Sequence, residues 1–444
     1  YIELGWGGYW AWDPVENASL LPWLTGTALL HSIMAQQHRG TLKRWNMGLL
    51  ASTFILCIFG TYLTRSGVIQ SVHAFPESQV GQFFLGSLGL MLLGSAGLIA
   101  WRWRALKPET RIDHLLSKEG AFLITNVLLV VITLTTTVGT IFPLISQAFS
   151  DKPITLGPPF YNSVVVPMAL LLLALMAAGP MLTYGQSGGT LLRRAIGPLV
   201  GGLIAVVGGF ALFGVVNPWA IACEFIAGAA AVAVIVEFVR AVISRRRSSG
   251  EMIPLSLWRT FDGNHRRYGG QFVHVGMLMI MAGIAGSGLF GVEESATMRA
   301  GDTIEVAGYA VSLDSMERAD GVNFDALQAN VVVQPPRGEA LSLHPQYRIY
   351  RKWRDQPNAE VDVASNWRRD IYLSVGGVGE GGRAAAIKVI VNPLVSWMWI
   401  GGFVIAAGSL LALVPRFEPR TAPATREETE NAPAEAPAAP APAC

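Results

Sequence analysis

Nine apolar stretches, each about 20 residues long, restrict this chain to a bundle of membrane-crossing helices. Hydrocarbon offers the backbone no hydrogen-bond partners, so an apolar segment of this length crosses a bilayer as a helix. Of the 444 residues, 51% are hydrophobic and only 14% are charged, which is typical of a polytopic membrane protein. We therefore predict an all-α polytopic membrane protein. Its predicted spans are roughly 17–37, 46–64, 83–101, 119–142, 161–183, 196–214, 219–239, 271–289 and 394–414.

Basic residues are distributed unevenly between the two ends of these spans. Twenty of the 33 Lys and Arg residues fall in the loops assigned to one side and in the tail after residue 414. The short loops of the opposite side hold only Arg65 and Lys152, and the others lie in the long segment 290–393. The positive-inside rule makes the basic side cytoplasmic and places the first residues and 290–393 outside. The net charge of +2 argues neither for nor against nucleic acid, and we expect no such partner.

Residues 290–393 are predicted to form a small extracytoplasmic β domain inserted before the last helix. Short β-branched runs alternate there with polar residues, and Gly, Pro, Asp and Asn separate them, which favours a small sheet or barrel. The runs are Thr303–Leu313, Asn330–Gln334, Arg369–Val375 and Ala386–Val391. We divide the chain into a membrane region of eight spans (1–289), this β domain (290–393), a last transmembrane helix (394–414) and a disordered cytoplasmic tail (415–444).

A tryptophan-rich segment, 6–23, is the most unusual part of the sequence. Glycines let a flat ligand approach the backbone, and indoles offer rigid faces against which it can stack. Asp13, Pro14 and Glu16 have the spacing of an N-cap, a first-turn proline and a capping-box partner, so we predict a loop that leads into a helix. An aromatic belt at the membrane interface is the alternative interpretation. The segment includes Trp6, Gly7, Gly8, Tyr9, Trp10, Trp12 and Trp23.

Cysteine usage and missing motifs exclude several functions. Cys57 and Cys223 lie inside spans, and Cys444 ends the chain. Since there is no Cys-x-x-Cys, the chain is neither a thioredoxin-like reductant nor itself a c-type cytochrome. Since there is no Walker loop, it does not hydrolyse ATP unaided. The chain starts at Tyr1, directly before the tryptophan-rich segment, and we expect it to be the C-terminal part of a longer protein.

Histidines inside spans are candidates for metal chemistry. At about 1.5 Å per residue, His31 and His274 both lie roughly 10–12 Å inside the cytoplasmic boundary. Two imidazoles at one depth could ligate one haem iron from both faces, and an intramembrane histidine needs a partner. Two separately hydrogen-bonded core histidines remain the alternative.

His73 follows the second span on the same outer side as the tryptophan-rich segment. An accessible imidazole beside an aromatic platform suits an axial ligand of a surface-held haem, whereas simple solvation is the alternative. Other histidines, at 38, 114 and 265, lie in basic loops where solvation is expected. No role is predicted for His344 or for Glu224, a polar residue inside a span.

These motifs together resemble the CcmF family of cytochrome c maturation haem lyases, whose tryptophan-rich signature is the WWD domain. The resemblance extends along nearly all of the chain up to about residue 414. A tryptophan run alone would also suit the shorter sister family that transfers haem to its chaperone, but nine spans and an outer β insert favour the lyase. The matching stretches are Trp6–Trp23, Arg65–Phe75, Arg266–His274 and Asn392–Leu394.

The resemblance implies a multi-pass protein of the bacterial inner membrane, with its functional loops and β domain in the periplasm. Such a protein accepts haem from a periplasmic haem chaperone and attaches it to the Cys-x-x-Cys-His of apocytochrome c, beside a thiol-handling subunit. By the same resemblance, His31 and His274 match ligands of a resident b-type haem, and His73 matches an axial ligand of the substrate haem. The buried haem would relay electrons, with quinol as a candidate reductant.

Thioether formation requires the substrate haem to be held still with its vinyl edge open. We expect the Trp/Gly platform to grip the ring, with Trp6, Trp10, Trp12, Asp13 and His73 at the reacting site. Arg65 is placed to pair with a propionate, unless it is only a charge at a helix end.

Two other classes stay open at this stage. One is a haem transporter or flippase, which would bind haem along a transmembrane path. The other is a b-type electron-transfer subunit linked to quinol, which needs His31 and His274 but not the tryptophan-rich segment.

Overall fold

The computed structural model describes residues 1, 8–69, 71, 79–112, 114–150, 152–185, 191–352, 357–379 and 384–415. Within these ranges nine helices are long and apolar enough to cross a membrane, and each overlaps one predicted span. The helices are α1 (Pro14–Arg39), α2 (Lys43–Ser66), α3 (Val80–Trp101), α4 (Lys118–Phe149), α5 (Pro158–Ala178), α6 (Leu191–Phe213), α7 (Pro218–Ser249), α8 (Ile253–Gly263), α9 (His265–Phe290) and α10 (Val395–Leu413).

The short helix α8 lies in the basic loop between α7 and α9, where no helix was predicted. Its 11 residues are too few to cross a bilayer. Ser256 and Thr260 are buried against the protein, whereas Ile253, Leu257 and Trp258 are exposed. An apolar face turned away from the protein is typical of a helix that lies along a membrane surface.

Helices α1 and α9 have different main packing partners. Helix α1 packs against α2 and α4, and α6 packs against α7. Helix α9 makes its most extensive contact with α10. There, glycines at 269, 276 and 283 on α9 meet the α10 backbone or side chains so closely that a Cβ would collide with them. Small residues at such an interface let two backbones approach within a membrane.

Between α9 and α10, two antiparallel sheets pack face to face. Strand order is β1-β10-β9-β8 in one sheet and β2-β3-β4-β6-β7 in the other, with β5 paired to β4. Buried aliphatic side chains from both sheets, including Val311, Val331, Leu373 and Ile387, form one core. The strands are β1 (Val292–Arg299), β2 (Thr303–Val306), β3 (Tyr309–Arg318), β4 (Phe324–Gln334), β5 (Leu341–Leu343), β6 (Gln346–Tyr350), β7 (Pro357–Glu360), β8 (Asp362–Ser365), β9 (Arg369–Val378) and β10 (Ala384–Pro393).

The β runs expected from the sequence fall on strands, with one difference. The expected run Thr303–Leu313 is divided into β2 and β3 by a turn at Ala307 and Gly308. Both turn residues have positive φ, 50° and 80°, as in a tight hairpin turn. The sequence pattern did not reveal this turn, because β-branched residues lie on either side of it. The expected tail beyond residue 415 lies outside the described residues.

Candidate functional site

The described part of the tryptophan-rich segment is a loop that leads into α1, as predicted. Residues 8–13 are not helical, and α1 begins at Pro14. The Asp13 carboxylate accepts a hydrogen bond from the backbone N–H of Val15 at 2.9 Å, and Glu16 accepts one from the N–H of Asp13 at 3.1 Å. The predicted capping box is therefore present. Trp6 and Gly7 lie outside the described residues.

Trp12 is the anchor of this loop. Its ring stacks on the buried Tyr161 of α5 with centroids 4.7 Å apart, and its Nε1–H donates to Asn162 at 2.9 Å. The backbone of Trp12 has φ 58°, a conformation that bulky residues rarely adopt. The buried side chain of Asn17 stabilises this backbone conformation by donating a hydrogen bond to the Trp12 carbonyl oxygen at 3.1 Å. Trp10 meets the Trp12 ring edge to face at 5.7 Å.

Two tyrosines before α1 join this loop to the sheets and to α9. The Tyr9 hydroxyl lies 2.8 Å from the hydroxyl of Ser287, near the end of α9. The ring of Tyr1 packs on Tyr372 of β9. Its hydroxyl donates to the buried Asp370 at 3.4 Å, and burial raises the pKa of that carboxyl, although hydrogen bonds from Ser365 and Tyr1 oppose the rise. The tryptophan-rich loop and the sheets therefore lie at the same end of the helix bundle.

The segment that follows α2 is tied to the same loop. The Ser71 hydroxyl donates to the Asp13 carboxylate at 2.8 Å. Arg65 lies in the last turn of α2 and is exposed. His73, two residues after Ser71, lies outside the described residues. Asp13 thus caps α1 and also fixes the chain that leads toward His73.

His31 of α1 and His274 of α9 form the second part of the site. Their rings are nearly parallel, with an angle of 8° between the planes, and their centroids are 6.4 Å apart. Helices α1 and α9 have different main packing partners, and the two imidazoles lie where these two helices approach each other. The structure brings together the two intramembrane histidines that the sequence had singled out by depth.

The His31 ring has a fixed proton position. Its Nδ1 lies 2.8 Å from the carbonyl oxygen of Thr27, one turn earlier on α1. Because a carbonyl only accepts, Nδ1 carries the proton, which leaves the Nε2 lone pair available to a metal. Phe122 of α4 packs against the same ring at 5.9 Å. Trp23, assigned to the cofactor site from the sequence, lies eight residues before His31 on α1 and is 48% exposed.

Several residues of the site were missed by the sequence analysis. Thr27 could have been found from its position four residues before His31 in a helix. Tyr161, Asn162 and Ser71 had no such signal, because each is more than 50 residues from its partner in the tryptophan-rich loop.

Comparisons with known proteins give matches to two family models and to named relatives. A family model described as the CcmF C-terminal beta-sandwich matches residues 289–393, and one described as cytochrome C assembly protein matches residues 1–70. The cytochrome c-type biogenesis protein CcmF of Pseudomonas aeruginosa is 34% identical over 94% of this chain and 62% of its own length. The CcmF of Escherichia coli K12 is 33% identical over 95% of this chain and 63% of its own length.

A solved structure titled cytochrome c heme lyase CcmF has the same fold. It matches with a TM-score of 0.74 and 28% identity, over 94% of this chain and 62% of the solved chain. The fold of the described residues defines a multi-pass membrane protein, and its named relatives are cytochrome c-type biogenesis proteins. The chain belongs to the CcmF family, as its motifs predicted. It spans about 62% of the length of the relatives it matches.

Proposed function

We propose that this chain carries the haem-holding parts of a cytochrome c haem lyase, with a resident haem inside the membrane and a substrate haem at the sheet end. The observation that carries the proposal is the facing pair of imidazoles, His31 and His274. The named relatives of this chain are cytochrome c-type biogenesis proteins, and the matched solved structure is that of a cytochrome c haem lyase.

The spacing of the two imidazoles suits one haem iron between them. A metal–imidazole bond is about 2 Å and the ring centre lies about 1 Å further on, so two imidazoles that hold one metal ion between them would have centroids about 6 Å apart. The measured distance is 6.4 Å. Within the described residues, no group of three His, Cys, Asp or Glu side chains could hold a bare metal ion. A porphyrin would supply the further nitrogen ligands that two histidines lack.

Space and proton position also fit such a group. A Cβ at Gly270, one turn before His274, would meet no atom within 4 Å. The Thr27 carbonyl fixes the His31 tautomer that leaves Nε2 free to bind iron. When bound, a haem at this position would supply one-electron transfer, and we assign quinol as the reductant that feeds it.

The sheet end is our proposed site for the substrate haem. Stacking of Trp12 on Tyr161 leaves Trp10 as the described indole best placed to meet the porphyrin. His73 is the proposed axial ligand, and the hydrogen bond between Asp13 and Ser71 positions the chain that leads to it. We further propose that Trp6, Gly7, Gly8 and Tyr9 complete the platform and that Arg65 pairs with a propionate.

The reaction itself makes modest chemical demands on the protein. Each apocytochrome thiol adds across one haem vinyl group: its sulfur bonds to one vinyl carbon, and a hydrogen is added to the other. No leaving group departs, so the protein's contribution is to hold the haem still with its vinyl edge open. The proposed partners are a periplasmic haem chaperone, apocytochrome c and a thiol-handling subunit, at the outer face of a bacterial inner membrane.

The test is His73→Ala in the full-length protein. The matched control is His114→Ala, in the basic loop between α3 and α4. We expect covalent cytochrome c to fall strongly in cells lacking the native gene, while the spectrum of the membrane haem persists in the purified variant. The control should behave as wild type. Cytochrome c formed at the wild-type rate in the His73→Ala strain would contradict the lyase site and leave an electron-transfer subunit as the better assignment.

A further inference from the structure

A cavity of about 350 Å³ opens at the end of the bundle opposite the sheets. We call it the basic cavity, because four cationic side chains and one carboxylate line it among the described residues. It lies between α4, the end of α5, α6, α7 and α9. Its charged lining residues are Lys118, Arg194, Glu237, Arg240 and Arg267.

The basic cavity and the imidazole pair share two helices, α4 and α9. On α9, one face carries Arg267, Gln271 and His274 on successive turns. Arg267 lies about 10 Å before His274 along the helix axis. On α4, Lys118 lies one turn before Phe122, whose ring contacts His31. Both walls of the imidazole site therefore continue into walls of the basic cavity.

Positive charge in the basic cavity exceeds what its own carboxylate neutralises. Both oxygens of Glu237 are already engaged: Arg267 donates to one at 2.6 Å, and Gln271 donates to the other at 2.6 Å. Arg194 donates to the carbonyl of Met181, and Lys118 lies 5.3 Å from the centre of the Tyr184 ring. The nearby Glu119 is held by Arg39 at 2.8 Å. Lys118, Arg194 and Arg240 therefore remain as positive charge facing a single cavity.

We propose that the basic cavity binds the two propionates of the haem held by His31 and His274, with Lys118 and Arg240 as principal cations. This inference rests on the proposed membrane haem and adds its orientation: the propionate edge faces the basic end. Charge-assisted hydrogen bonds between a carboxylate and Lys or Arg are strong, and a porphyrin would bring two carboxylates to a place where the chain has excess cations. The continuous helix faces favour these propionates over the phosphate of an anionic phospholipid.

The test compares haem with haem dimethyl ester, which lacks both carboxylate charges. Apoprotein from haem-deficient cells is titrated with each, and the ratio of dissociation constants is measured by absorbance. Wild type should bind haem about tenfold or more tightly than the ester, since hydrogen bonds to charged groups contribute at least that factor. The variant Lys118→Gln/Arg240→Gln should bind both alike, and its haem should have a lower midpoint potential than in wild type.

The matched control, Arg193→Gln/Arg246→Gln, removes two exposed charges at the same end that do not line the cavity. It should keep the wild-type ratio. Equal binding of haem and ester by wild type, or an unchanged ratio in the cavity variant, would overturn the proposal. Loss of co-purified anionic phospholipid with an unchanged ratio would overturn it in favour of a lipid. If the wild-type protein bound neither porphyrin, the result would instead contradict the proposed membrane haem.

Discussion

At the scale of the residue, the Asp13 carboxylate stabilises two segments of the chain. It caps α1 through the N–H of Val15, and it accepts a hydrogen bond from Ser71 in the segment that leads to His73. The same carboxylate therefore fixes the end of the tryptophan-rich loop and the approach to the proposed axial ligand. This arrangement accounts for an acid within an aromatic run at the sheet end.

We predict that Asp13→Ala loosens both elements. Loss of an N-cap side chain costs about 1 kcal/mol of helix stability. Amide hydrogen exchange in the first turn of α1 should therefore accelerate severalfold, and cytochrome c yield should fall. Ser19→Ala serves as the control: this exposed serine lies in the same helix, and its hydroxyl donates to the carbonyl oxygen of Glu16. Unchanged exchange at residues 15–18 would show that the cap is not formed.

Residue-level predictions from the sequence succeeded where the partners are close along the chain. The capping box of Asp13 and Glu16 depends on a spacing of three residues and was predicted. The positive φ of Trp12 was not, because the Asn17 hydrogen bond and the Tyr161 stack that hold it depend on the packing of α1, α4 and α5.

At the scale of the element, the pairing of α9 with α10 sets the position of His274. Gly276 follows that histidine by two residues, and a Cβ there would lie 2.6 Å from the carbonyl oxygen of Gly401 on α10. A Cβ at Gly401 would likewise lie 2.6 Å from the carbonyl oxygen of Gly276. The two backbones touch at this level, so α10 supports the helix that carries His274.

We predict that Gly401→Leu lowers membrane haem severalfold, because the larger side chain forces α9 and α10 apart at a cost of about 1–3 kcal/mol. Its neighbour provides a matched control: a Cβ at Gly402 would meet nothing within 4 Å. Gly402→Leu should therefore retain wild-type haem. Haem per protein is measured after purification. Equal haem in the two variants would mean that α10 does not position His274.

Periodicity and apolar length predicted the nine long helices, because hydrocarbon leaves a spanning segment few alternatives. Helix α8 escaped prediction since it is short and lies at an interface, where neither length nor strict periodicity identifies it. The β2–β3 turn escaped for a similar reason: Ala307 and Gly308 are only two residues within a β-branched run.

At the scale of the whole molecule, opposite ends of the bundle carry different chemistry. Tyr1 and Tyr9 hold the tryptophan-rich loop against β9 and the end of α9. The other end holds the basic cavity and the ion pair of Arg39 with Glu119. Charge counting predicted this division, whereas the convergence of Lys118, Arg240 and Arg267 from three helices could not be predicted without the packing.

We predict that the two ends lie on opposite sides of the membrane, with the basic end in the cytoplasm. In a variant without native cysteines, Lys107→Cys at the basic end should resist an impermeant thiol reagent added to intact spheroplasts. Glu339→Cys, in the loop between β4 and β5, should react. Both residues are exposed, so burial within the fold would not explain a failure to react. The same response at both sites would contradict the orientation.

The central claim is that His31 and His274 hold one haem iron between them. Bound haem per protein and the reduced absorbance spectrum of His31→Ala and His274→Ala test it most directly, with His38→Ala on α1 and His265→Ala on α9 as controls. We predict that both ligand variants lose the low-spin spectrum and most of their haem while the helices still insert, and that both controls retain them. Wild-type haem and spectra in both ligand variants would contradict the claim.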